Sequence, residues 1–138
     1  PLTKEGRSRF RRIARRLVRL GIKPQFVASS PYLRCVETAE ILLQVLRTHA
    51  NLEATPDLAP QGEFDRLVAW TQKQLSLHTG DVAWVGHAPD VLHILAQLVG
   101  GGQFQLGKAA VAGVEFEGTI VPGEGRLIFL LPPGMVES

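Results

Sequence analysis

Gln25-Phe26-Val27-Ala28-Ser29-Ser30-Pro31-Tyr32-Leu33-Arg34 reads as a β-strand that breaks directly into a helix. Phe, Val and Ala suit a buried strand. Ser30 is placed to cap the helix, and Pro31 to take its first position, where a missing N–H costs nothing. A second segment repeats the pattern: Val82-Ala83-Trp84-Val85 is an apolar strand, and Gly86-His87-Ala88-Pro89 is the corner after it. With both strands parallel in one sheet, Arg34 and His87 reach its carboxyl edge, where open α/β sheets hold their ligands.

Working outward, Phe10, Ile13, Ala14, Leu17 and Val18 recur at helical spacing and predict a helix over Lys4 to Leu20, capped by Thr3 and stopped by Gly21. Val36, Ala39, Leu42, Leu43 and Leu46 carry the helix that starts at Pro31 to about Arg47. Leu52 to Thr55 reads as a short strand, and the Pro- and Gly-containing stretch from Pro56 to Gly62 as a loop. Phe64, Leu67, Val68, Thr71 and Leu75 predict a helix over Glu63 to Leu77. A strand at Asp81 to Val85 and a helix from about Pro89 to Val99 follow, the latter ended by Gly100-Gly101-Gly102. Ala110 to Glu117 and Arg126 to Leu131 predict an antiparallel hairpin on the sheet edge, around a turn at Gly118 to Gly125. The alternation gives a single three-layer α/β domain over residues 1–138, with a mostly parallel central sheet and a C-terminal antiparallel hairpin.

Bulk properties agree with one domain. The 138 residues are 45% hydrophobic and 20% charged, enough for a core. No apolar run approaches the ~20 residues of a spanning helix, and the first residues lack the order of a signal peptide, so a soluble, cytoplasmic protein with no membrane partner is expected. Cys35 stands alone, which excludes an intramolecular disulfide framework and fits a reducing compartment. The formal charge of +2 hides an asymmetry: residues 1–20 hold eight Lys or Arg against Glu5, while the remainder holds seven basic and twelve acidic residues. That local basicity is either a solvated helix face or a surface for an anionic partner. A nucleic-acid partner is not expected, because it leaves the two strand corners unexplained.

Arg34 falls in the first turn of its helix, beside unpaired N–H groups and the positive dipole end, where a phosphoryl group meets a bidentate fork and amide donors together. The competing reading pairs Arg34 with Glu37 or Glu40 on a helix surface. His87 is held at a corner, where an imidazole can donate to a phosphoryl oxygen or move a proton near neutral pH; the competing reading is a structural imidazole.

Ser29-Ser30-Pro31-Tyr32-Leu33-Arg34, Glu37-Thr38-Ala39-Glu40 and Val85-Gly86-His87 together resemble the histidine phosphatase superfamily, whose fold is that of phosphoglycerate mutase. Pro1-Leu2-Thr3-Lys4-Glu5-Gly6, Leu58-Ala59-Pro60 and Leu130-Leu131-Pro132-Pro133 extend the likeness to its SixA-like phosphohistidine phosphatases. The resemblance implies a two-step phosphoryl transfer through a phosphohistidine enzyme intermediate, with Arg34 and His87 as catalytic residues that clamp the phosphoryl oxygens. It also implies a substrate-binding place for Ser30, under the phosphate. The expected partner is a phosphorylated protein or a small phosphorylated substrate, with no cofactor and no metal. In the family the nucleophile comes from an Arg-His-Gly triplet on a strand just upstream of the Pro-Leu-Thr segment. No Arg-His pair occurs in this sequence, so the domain is expected to lack that first strand here. An inner strand missing from a parallel sheet leaves unpaired edges and an apolar slot. A general acid, a mid-chain carboxylate in larger members, falls to Asp57 or Glu63.

Other chemistries fail on spacing. A cysteine phosphatase needs Arg six positions after its Cys, and Ile41 stands there after Cys35. No Gly-rich loop precedes Lys-Ser or Lys-Thr, and His87, Asp90 and His93 lack a recognised metal-ligand spacing. Two alternatives stay open: a non-catalytic phospho-ligand binding or regulatory module, and a small-molecule phosphoester phosphatase of the same superfamily.

Overall fold

The helices and strands of the described residues follow one another in the order the sequence predicts. The computed structural model describes residues 2–47, 50–77, 80–87, 90–103 and 110–131. Helix α1 spans Lys4–Arg19, strand β1 Pro24–Ser29, helix α2 Leu33–Leu46 and strand β2 Asn51–Ala54. A single 3₁₀ turn at Pro56–Leu58 leads to helix α3 at Phe64–Leu77, strand β3 at Asp81–Val85 and helix α4 at Asp90–Val99. Strands β4, Val111–Glu115, and β5, Arg126–Leu131, are the last described elements. Pro1, Ala88, Pro89 and Pro132-Pro133, to which the sequence reading refers, lie outside the described residues.

The parallel sheet has the order β2-β1-β3, with Val27 opposite Leu52 on one side and Ala83 on the other. Because β1 is central and covered on both faces, Phe26 to Ser29 are buried throughout, as the continuous apolar run predicts. Strand pleating sorts the side chains into two cores. Val27 joins Phe10, Ile13, Ala14 and Leu17 of α1 and Ala39, Ile41 and Leu42 of α2, with Ala83 and Val85 packed alongside. Phe26 and Ala28 face Leu58, Leu67 and Trp70, with Val82, Trp84 and Ile94 around them. Three layers result: α1 and α2, the sheet, then α3 and α4. Each large buried side chain of α1 contributes about 2 kcal/mol. Thr3 caps α1 as expected, its Oγ1 accepting from Gly6 N–H at 2.9 Å.

The hairpin corrects one expectation. Rather than extending the sheet edge, β4 and β5 form a sheet of their own, with Gly113 opposite Phe129. A hairpin satisfies its own ladder and needs only apolar support, which Val111, Phe129 and Leu131 find on the core shared with α1 and α2. The Phe129 ring lies across Gly113, and an added Cβ there would overlap it. Among the described residues, the edge of β3 away from β1 has no strand partner. Val82 to Val85, apolar on both faces, are only half-buried. No helix among the described residues is long and apolar enough to cross a membrane.

Candidate active site

The three parallel strands end together at Ser29-Ser30, Ala54-Thr55 and Val85-Gly86-His87. Their ladder runs one residue further than the strands do: Ser30 N–H donates to Val85 O at 2.9 Å and Thr55 N–H to Ser29 O at 2.8 Å. Six polar residues are buried among those described, and five of them, Ser29, Ser30, Thr55, Asp57 and His87, lie at this edge. The sixth, Thr71, accepts from Trp84 Nε1 at 3.1 Å behind it. Buried polar groups persist where they are partnered, so their concentration marks a built corner.

Helix α2 starts at Leu33, two residues later than the sequence predicts, with extended Tyr32 as its N-cap and no side-chain cap. Ser30 is therefore not the cap. Pro31 holds the residue before it extended. The Ser30 hydroxyl accepts from Tyr32 N–H at 3.3 Å and shares a 2.8 Å hydrogen bond with His87 Nε2. Tyr32 O receives the N–H groups of Cys35 and Val36, at 3.0 and 3.1 Å. The N–H groups of Leu33 and Arg34 are left without intrahelical acceptors at the positive end of the helix.

His87 is only 7% exposed. Beyond Ser30, Cys35 Sγ lies 3.6 Å from Nε2 and 3.8 Å from Nδ1. The Tyr32 ring stands edge-on to it, with centroids 4.8 Å apart. His87 O accepts from Val91 N–H at 2.8 Å, which ties the corner to α4. Gly86 allows this approach: a Cβ there would stand 2.9 Å from Val91 Cγ1 and 3.2 Å from Leu58 O.

Arg34 occupies the same turn, between two residues that touch His87, and its side chain is exposed. The pairing with Glu37 or Glu40 is not formed. Glu37 is taken by Arg7 and by Leu2 N–H at 2.9 Å, and no carboxylate among the described residues pairs with Arg34. Burial pushes the Cys35 thiol pKa up, against smaller opposite pulls from the Ser30 hydroxyl and the Arg34 charge. Ser30, Arg34 and His87 thus meet at one corner. A helix terminus, a free guanidinium and a fixed imidazole there make a place for a dianion.

The two candidate acids are tied into a cap. Asp57, 8% exposed, accepts from Glu63 N–H at 3.4 Å and lies 3.6 Å from Arg66, while exposed Glu63 lies 3.1 Å from Arg66. Among the described residues no group of three His, Cys, Asp or Glu is placed to hold a metal ion. A surface cleft of about 510 Å³, bordered by Phe64, Gln97 and Pro122, contains neither Arg34 nor His87. Sequence reasoning missed Tyr32 and Cys35 as neighbours of His87. The available signal was their position flanking Arg34 at the start of a helix.

Residues 1–62 match the family model of the histidine phosphatase superfamily, branch 1. An uncharacterized protein of Picosynechococcus sp. is 34% identical over 119 residues, which cover 83% of this chain and 70% of that protein. The phosphohistidine phosphatase SixA of Escherichia coli is 29% identical over 101 residues, covering 73% of this chain and 63% of SixA. Among solved structures, the protein histidine phosphatase SixA complexed with tungstate superposes with a TM-score of 0.87 at 25% identity, over 99% of this chain and 86% of the other. The putative phosphohistidine phosphatase SixA from Agrobacterium tumefaciens shares the fold, with a TM-score of 0.73 at 17% identity over 96% and 82% of the two chains. With the Ser-Pro and Gly-His corners joined as described, the chain belongs to the histidine phosphatase superfamily.

Proposed function

We propose that this chain is a SixA-type phosphohistidine phosphatase domain that removes the phosphoryl group from phosphohistidine on proteins, with Arg34 and His87 as catalytic residues. The observation that carries the reading is the 2.8 Å Ser30–His87 contact, which fixes the β3 corner on the turn bearing Arg34. In this reaction an enzyme imidazole attacks phosphorus as the P–N bond of the substrate breaks. The leaving imidazole takes up a proton, and water then attacks the phosphoenzyme to release phosphate. Arg34 clamps the equatorial oxygens and His87 donates to them, so charge is met by donors already in place. Ser30, fully buried, acts by orienting His87. With Asp57 and Glu63 engaged by Arg66, the corner offers little acid for an alkoxide and suits an imidazole leaving group.

The attacking histidine belongs, in this reading, to a further strand seated against the free edge of β3. Three features support that place: the half-buried apolar run Val82 to Val85, the separate hairpin sheet, and the packing of Val111 and Phe129 into the core that Ala83 and Val85 join. A strand that is apolar on both faces is stable when both its edges are paired.

The test is turnover of a phosphohistidine protein by the native full-length chain. Arg34→Ala and His87→Ala are each expected to lower it at least ~100-fold. Wild-type turnover from either variant removes that residue from the site. Tight phosphate binding with no turnover by the wild type makes the domain a non-catalytic phospho-ligand module. Faster turnover of an aryl phosphate than of phosphohistidine makes it a phosphoesterase.

A further inference from the structure

Helix α1 carries a charge pattern that the reaction does not use. Opposite its buried stripe of Phe10, Ile13, Ala14 and Leu17, Lys4, Arg11, Arg15 and Arg19 fall along one line at 100° per residue, with Arg16 beside them. Glu5 is the one acidic residue of the helix. Among the described residues, no carboxylate pairs with Arg11, Arg15, Arg16 or Arg19, and the last three are exposed.

The stripe begins beside the candidate site. Leu2 N–H and Arg7 both bind Glu37, which lies one turn after Arg34 on α2. At its other end α1 passes through Gly21 to Lys23 into the amino end of β1, so the helix descends from the site edge of the sheet to the opposite edge. Its 16 residues make a row about 24 Å long.

We propose that this face docks the acidic surface of the protein whose phosphoryl group enters the Arg34–His87 corner. The proposal rests on the phosphoprotein reading above, and it adds where that partner lies and what charge it carries. Two observations favour a folded acidic protein over a nucleic acid or a membrane. The residues outside 1–20 hold twelve acids against seven bases, so a long polyanion is repelled beyond the helix, whereas a local acidic patch fits the row. Val18 at 41% and Leu20 at 46% exposure stand among the arginines, a mixture typical of protein interfaces. Arginine supplies the contacts: seven of the eight bases in residues 1–20 are arginine, whose fork can pair with the carboxylates of such a patch two bonds at a time.

The test uses the native full-length chain and its Arg15→Glu/Arg19→Glu variant, with Arg15→Gln/Arg19→Gln as a milder pair. Probes are a fluorescent Glu/Asp-rich peptide of about 20 residues, a Ser/Gln-rich peptide of equal length, a 20-bp DNA duplex and phosphatidylserine vesicles. The acidic peptide should bind the wild type most tightly, weaken with salt, and lose about tenfold or more in affinity in both variants. With phosphohistidine placed in each peptide, KM for the acidic one should rise about tenfold in the variants at unchanged kcat, while free phosphohistidine turns over as in the wild type. Unchanged affinity in the variants, or tighter binding of DNA or vesicles than of the acidic peptide, overturns the docking surface. Peptide binding that depends on Arg15 and Arg19 without any phosphohistidine turnover overturns the enzymatic reading and leaves the surface standing.

Discussion

Replacing Ser30 with alanine takes one oxygen from a position with no solvent exposure. What remains is a 7% exposed His87 ring whose Nε2 has lost its 2.8 Å partner, with Cys35 Sγ at 3.6 Å as a weak substitute. A buried nitrogen stripped of its hydrogen bond costs about 1–3 kcal/mol. The substitution opens little volume, so no large cavity adds to that cost. Tyr32 N–H also loses an acceptor, but Tyr32 is 54% exposed and water takes over. The expected loss is about 2 kcal/mol, read as a shift in the urea midpoint or a fall in Tm of about 8 °C. Turnover should fall about tenfold through kcat, because the imidazole is no longer held in one orientation. The decisive assay is the double-mutant cycle of Ser30→Ala and His87→Ala on unfolding free energy. The pair should couple by at least ~1 kcal/mol. Additivity within about 0.5 kcal/mol would refute the claim that Ser30 holds His87.

Gly86→Ala should destabilise the fold by about 1–3 kcal/mol and reduce turnover, since the new methyl meets Val91 at 2.9 Å and Leu58 O at 3.2 Å; an unchanged urea midpoint would show that both neighbours yield freely. Cys35, 4% exposed with its thiol pKa raised by burial, should react with a disulfide reagent at neutral pH at least about tenfold more slowly in the native protein than in urea; equal rates would refute that shielding. The same shift sets a pH dependence. The folded thiol keeps a proton that the unfolded chain gives up above the ordinary value of 9.0, so this stabilisation is complete below 9.0 and is lost as pH rises toward the folded value. Unfolding free energy should therefore fall more steeply above pH 9.0 in the wild type than in Cys35→Ala, and superimposed curves would show that burial does not act on this group.

Local signals fixed the element order because each was bounded by residues with few alternatives. The strand Asp81–Val85 and the strand Arg126–Leu131 fall where the sequence reading puts them, each a β-forming run beginning just after a glycine. The start of α2 is displaced because Ser-Pro is a capping signature only while the serine hydroxyl is free, and here it is engaged by a residue 57 positions later. Pairing of the hairpin was not legible for a related reason. Alternation in Arg126–Leu131 specifies a strand with one buried face, but its ladder partner is chosen by tertiary packing, and β4 satisfies it as well as β3 would.

Arg34 and His87 were readable because a strand end followed by a turn is a position, and positions in a parallel sheet converge on one edge. The states of the two side chains were not readable, and they differ. His87 is held by Ser30, Cys35, Tyr32 and Val91, so in the proposed site its orientation would cost little on binding a dianion. Arg34 is exposed and has no carboxylate partner among the described residues, because Arg7 and Leu2 occupy Glu37. A guanidinium in that state carries about 2 kcal/mol of rotamer entropy, which binding must overcome. The Arg7–Glu37 pair therefore serves the corner from outside it. By occupying the carboxylate one turn from Arg34, it leaves that cation unpaired by Glu37, which the proposed phosphoryl transfer requires, and it anchors the end of the basic helix beside the proposed site.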